Sequence, residues 1–140
     1  QIQMEDAQIS IAPKQEYDQI PLKAPFTDPE NKIKFDATTP LELTHELFKD
    51  DAIILDLKGQ QITLMAENNV NNHGIAFTLA NAPYIGIWSP YPSKANFVCL
   101  EPWWGIADTV DFNGELKDKL GVNRLSAQEE FNQEFSMSFF

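Results

Sequence analysis

Apolar positions along this 140-residue chain recur in short runs with period two, not at helical spacing, and that spacing predicts strands. The clearest case is residues 61–66, where Ile62 and Leu64 face one way and Thr63 and Met65 the other, as a pleated strand requires. Residues 52–57, 75–79, 84–89 and 97–101 predict four more strands. Phe131, Phe135, Met137 and Phe139 fall on alternate positions of a final one. Ile2 with Met4, and then residues 8–12, read as two short extended pieces. Turn chemistry separates the runs: residues 68–74 are rich in Asn, Ala82-Pro83 follows Asn81, and Pro90, Pro92 and Asn96 mark a loop. Residues 14–39 carry Pro21, Pro25 and Pro29, which argues against long regular structure there. Leu41, Leu43, Leu47 and Phe48 suggest a helical turn or an edge segment, residues 116–120 a short helix, and residues 126–130 a turn. Seven or so short strands predict an all-β fold, an antiparallel β-sandwich forming one domain over residues 1–140.

Composition narrows the partners. A hydrophobic fraction of 43% fits a folded domain. The net charge of −11, from 21 acidic against 10 basic residues, repels nucleic-acid phosphates and anionic membranes, so neither is expected as a partner. No stretch reaches the roughly 20 apolar residues of a membrane helix, and no secretory signal is visible. The surface is therefore expected to be cytoplasmic. Cys99 is the single cysteine, which excludes an internal disulfide and a cysteine-based metal site; in its apolar run it is expected as a small hydrophobe.

Candidate chemistry concentrates in Phe97-Val98-Cys99-Leu100-Glu101-Pro102-Trp103-Trp104-Gly105-Ile106-Ala107-Asp108. An apolar run delivers one carboxylate, Glu101, and a charge in that setting must be paired or used. Trp103 and Trp104 follow at once. Indole faces suit the C–H face of a sugar ring, and indole N–H groups suit its hydroxyls. The same pattern also fits a satisfied structural glutamate with two core tryptophans, so the motif by itself leaves both readings open.

That block, together with Pro83-Tyr84-Ile85-Gly86-Ile87-Trp88-Ser89 and with Leu43-Thr44-His45-Glu46-Leu47-Phe48-Lys49-Asp50-Asp51-Ala52-Ile53-Ile54, resembles the C-terminal half of aldose 1-epimerase (galactose mutarotase-like) proteins. The likeness runs over roughly residues 40–140 and is nearest to the bacterial branch that accompanies lactose and galactose operons. It implies a large antiparallel β-sandwich with a sugar groove across one sheet, and acid–base interconversion of the α and β anomers of a free hexose. The resemblance makes Glu101 the catalytic general base and Asp51 a ligand of sugar hydroxyls; the residues themselves suggest Trp103 and Trp104 as substrate-binding stacking partners. No cofactor and no metal is required, since ring opening involves neither redox change nor phosphoryl transfer.

The chain departs from the family pattern at the acid. The Gly-His-Pro-like segment that carries it has no counterpart here, and His45 and His73 are the only histidines. His45 is explained by the branch likeness, and His73 falls in a turn. The chain is therefore expected to be a portion of a longer protein, and to dimerise or to pair with the missing N-terminal half. Two alternatives stand beside the enzyme: a non-catalytic carbohydrate-binding module, and a hexose-6-phosphate 1-epimerase. Against the latter, Arg124 is the single arginine, and phosphate recognition favours arginine forks.

Overall fold

A computed structural model describes residues 3–140. Ile2, part of the first expected extended piece, lies outside the described residues. The strands in chain order are β1 (Ala7–Ala12), β2 (Glu16–Ile20), β3 (Leu22–Lys23), β4 (Phe26–Thr27), β5 (Ile33–Asp36), β6 (Leu41–Glu42) and β7 (Ile53–Asp56). They continue with β8 (Ile62–Asn68), β9 (Gly74–Leu79), β10 (Tyr84–Trp88), β11 (Cys99–Trp103) and β12 (Phe135–Phe139). Every pairing between them is antiparallel.

Two five-stranded sheets form the sandwich, ordered β12-β9-β8-β1-β6 and β11-β10-β7-β2-β5. Their inner faces share one core that includes Ile9, Ile11, Leu55, Ile62, Leu64, Phe77, Leu79, Ile85 and Ile87, all essentially out of solvent. Alternation decides which side chains reach it. In β8, Ile62 and Leu64 are buried, whereas the Thr63 hydroxyl meets the Thr78 hydroxyl at 2.8 Å on the outer face. In β10, Ile85 and Ile87 point inward and Tyr84, Gly86 and Trp88 outward.

Four segments differ from expectation. Met4, expected in an extended piece, opens a 3₁₀ turn over Met4–Asp6. Residues 14–39 hold β2, β3, β4 and β5, because the prolines fall between strands instead of inside them. Pro21 separates β2 from β3, Pro25 separates β3 from β4, and Pro29 opens a 3₁₀ turn. The strand expected over residues 97–101 begins two residues later and ends at Trp103. The last strand starts at Phe135, and all five of its residues are exposed. Phe135, Met137 and Phe139 pair in register with Leu79, Phe77 and Ile75, so they share the core side of the sheet. That side is left uncovered at β12, and Phe139 remains 78% exposed. The 3₁₀ turns at His45–Phe48 and Leu116–Asp118 account for the two short helical signals.

Candidate functional site

The outer face of the β10–β11 sheet is built in rows by its register. Glu101 stands opposite Gly86, Gly86 opposite Ile54, and Ile54 opposite Ile20. One step along lies the row Trp103, Tyr84, Asp56, Asp18 and Lys34. One step the other way, Cys99 is opposite Trp88. Residues two apart on β11 share a face, so Cys99, Glu101 and Trp103 project together.

A second layer covers part of this face. Ile20, Ile54 and Ile106 form a small buried cluster, packed by Leu22, Ala52, Tyr84 and Trp103. The β3–β4 hairpin is strapped over the sheet by Thr27, whose amide donates to the Asp108 carbonyl at 2.8 Å and whose carbonyl accepts from the Val110 amide at 3.0 Å. Asp28, next in sequence, is buried with Lys23 at 2.5 Å and the Asn31 side-chain amide at 2.9 Å. These partners hold its carboxyl below the usual range, with the Lys23 hydrogen bond as the main cause.

Beside the hairpin opens a cleft of about 500 Å³ bounded by Leu22, Phe48, Asp50, Asp51, Trp88 and Tyr91, within the size range of small-molecule sites. Asp51 reaches it from the loop before β7. Its φ of 77° is left-handed, a conformation Asp adopts more readily than most residues, and its carboxylate accepts from the Ala52 amide at 2.8 Å. Trp88 forms another wall and meets the Phe97 ring with centroids 6.3 Å apart. Tyr91 donates its hydroxyl to Glu46 at 3.1 Å, which pushes the phenol above its ordinary range. Glu101 is not itself in the cleft wall. It lies on the same sheet face, one row from Trp88.

Glu101 is half-buried, and its carboxylate accepts a hydrogen bond from the Trp103 indole nitrogen at 3.2 Å. The Cys99 thiol is pushed up, first by burial and then by the charge of Glu101. Farther along the face, Asp18 binds Lys34 at 2.5 Å and Lys58 at 2.7 Å. Those two hydrogen bonds lower its carboxyl to about 2. Asp56 holds Lys32 at 2.9 Å.

The structure thus brings Glu101 and Trp103 into contact and sets Asp51 on the adjoining cleft. It separates Trp104 from them. Trp104 packs against the main core, and its indole nitrogen is buried with no partner among the described residues. Trp103 packs instead on the outer Ile20, Ile54 and Ile106 cluster, so the two consecutive indoles pack on different clusters. Trp88, Tyr91 and Gly86 escaped the sequence reading. The signal was present in the alternation of β10, where Tyr84, Gly86 and Trp88 share the face of Glu101.

The two histidines are engaged elsewhere. His45 Nε2 meets Glu5 at 2.9 Å, and His73 Nδ1 meets the Phe140 carbonyl at 3.3 Å. Arg124 pairs with Asp118 at 3.8 Å. Among the described residues, no cluster of three or more His, Cys, Asp or Glu could hold a metal ion, and no helix is long and apolar enough to cross a membrane.

The two-sheet antiparallel sandwich is the fold of galactose mutarotase-like proteins, and the chain is similar to members of that group in fold and in sequence. It is similar to the galactose mutarotase related enzyme from Lactobacillus acidophilus, with a TM-score of 0.93 and 37% identity over 98% of this chain and 46% of that one. A galactose mutarotase-like protein from Lactobacillus casei superposes with a TM-score of 0.69 at 26% identity, over 96% of this chain and 45% of that one. In sequence, the plasmid and chromosomal LacX proteins of Lactococcus lactis are each 33% identical over 86 residues, 61% of this chain and 28% of theirs. The chain therefore spans less than half the length of each of these relatives. No protein-family model matches it.

Proposed function

We propose that this chain is the base-bearing part of an aldose 1-epimerase-like protein that interconverts the α and β anomers of a free hexose. The observation that carries the reading is the position of Glu101: half-buried on the outer face of a β-sheet, beside an indole and one row from a 500 Å³ cleft that Asp51 and Trp88 border. Polar groups converging on an apolar-walled recess are what a sugar site needs.

In the proposed reaction Glu101 accepts the proton of the anomeric hydroxyl while an acid protonates the ring oxygen. The C1–O5 bond breaks, the aldehyde rotates about C1–C2, and O5 readds to the other face. On closure O1 takes its proton back from Glu101, and the new ring oxygen returns the other. Base and acid each contribute about 10²- to 10⁴-fold in such chemistry. Asp51 accepts from sugar hydroxyls. Trp88 provides the stacking wall, Trp103 lies beside the base, and Trp104 belongs to the core. The acid comes from outside this chain, since His45 is paired with Glu5 and His73 with Phe140. The uncovered core side of β12 is then where the rest of the protein, or a second copy, packs.

Polarimetry of fresh α-glucose and α-galactose with the full-length protein tests the reading. The wild type hastens the approach to equilibrium, and Glu101→Gln lowers the rate by about 10²-fold or more. Equal rates for the two proteins would refute Glu101 as the base. The engaged histidines favour a second reading for the chain alone, a carbohydrate-binding module. It predicts a tryptophan-fluorescence change on adding sugar with no acceleration of mutarotation.

A further inference from the structure

We infer that Trp103 is a positioning residue for Glu101, and that Gly86 exists at its place to let the indole reach that carboxylate. The inference rests on Glu101 being the base and goes beyond it, because it names what fixes the base and reassigns Trp103 from a platform for sugar to a holder of the carboxylate.

Three observations converge. The indole N–H donates to one carboxylate oxygen of Glu101 at 3.2 Å, and the Cys99 thiol is a second hydrogen-bond partner of the same carboxylate. The ring is immobilised, since Trp103 packs on the Ile20, Ile54 and Ile106 cluster on the same sheet face. Finally, the indole lies across the neighbouring strand at Gly86. A Cβ there would sit 2.9 Å from Cζ2 and 3.1 Å from Cε2 of Trp103, closer than real side chains pack.

Gly86 is also the residue paired with Glu101. In an antiparallel pair the residue opposite a side chain normally fills the space beside it. Here that space is vacated, and the indole of the residue two along leans into it. A base fixed in this way loses little orientational freedom on binding, and misplacement of a reacting group by about 1 Å can cost around a hundredfold in rate. A hydrogen bond to a charged group also sets the direction in which the remaining lone pairs point.

Two measurements on the full-length protein test this. In ¹H–¹⁵N spectra the Trp103 indole resonance of Glu101→Ala, which removes the acceptor, is displaced from its wild-type position, whereas distant indole resonances stay in place. In kinetics, Trp103→Phe keeps the ring packing but removes the donor, so kcat falls by about ten- to a hundredfold while KM stays within about twofold. Gly86→Ala, which displaces the indole, lowers kcat in the same manner and moves the Trp103 resonance. A Trp103 resonance indifferent to Glu101→Ala would overturn the inference. So would a Trp103→Phe enzyme with wild-type kcat, or one whose loss lies wholly in KM as removal of a sugar platform predicts. Full turnover by Glu101→Gln would instead remove the base reading, while the indole spectrum still judged the hydrogen bond.

Discussion

The outer faces of the two sheets obey the same period-two rule and end up with different chemistry. On the β12-β9-β8-β1-β6 sheet the outward positions include Gln8, Ser10, Thr63, Glu67 and Thr78, with Met65 as the one large apolar group among them, and they meet solvent or one another. On the β11-β10-β7-β2-β5 sheet they include Trp103, Tyr84, Ile54, Ile20 and Glu101, partly roofed by the hairpin that Thr27 straps to the Asp108 segment. The isoleucines of this face are buried by the chain's own second layer, and the recess beside it, bordered by Asp51 and Trp88, is left unfilled.

Substitutions can break this contrast. The largest stability effect should come from the shared core, where the faces do not differ. Leu64→Ala and Leu55→Ala remove fully buried side chains, one from each sheet, and each should cost about 2–5 kcal/mol in denaturant unfolding. A markedly smaller loss for either would mean that its sheet packs loosely. Next comes sugar affinity. Asp51→Asn keeps a residue that tolerates the φ of 77° and removes the charge, so KM should rise by about tenfold or more with folding unchanged. Thr63→Ala on the opposite outer face should leave KM as it is.

Self-association should depend on the uncovered end of the first sheet. Light scattering on the 140-residue chain alone should find dimers or larger species, and Phe139→Glu should shift them toward monomer. The smallest effect is acid stability. Asp18 is held at about 2, below its ordinary 3.8. A depressed carboxylate stabilises the fold above its unfolded value, and that contribution fades as pH falls through the folded one. The loss lies between about pH 4 and pH 2, so Asp18→Asn should flatten acid unfolding across that window and not near neutrality.

Much of the fold was legible because strand alternation is a local property. Ile62-Thr63-Leu64-Met65 and Ile85-Gly86-Ile87-Trp88 report their own faces. The strands over residues 14–39 were hidden, since β2 exists by pairing with β7 and β5 by pairing with β2, and short pieces between prolines carry no periodicity of their own. Glu101 was visible as a carboxylate in an apolar run. Where the two indoles go depends on tertiary packing, since Trp103 at the end of β11 packs on the outer cluster and Trp104, just past the strand, packs on the main core. The cleft wall from Trp88 and Tyr91 depends on which strand lies beside β11 and on where the loop after β10 folds. Neither is written in the Glu-Pro-Trp-Trp motif.

The role of Glu101 is tested most directly at equilibrium, where no net reaction obscures the chemistry. Exchange NMR on ¹³C1-labelled galactose or glucose with the full-length protein measures how fast the α and β signals interconvert. Cross-peaks that build up with the wild type and fall to the uncatalysed level with Glu101→Gln, while the folded spectrum is unchanged, are the expected result. Exchange equally fast with Glu101→Gln would contradict the account.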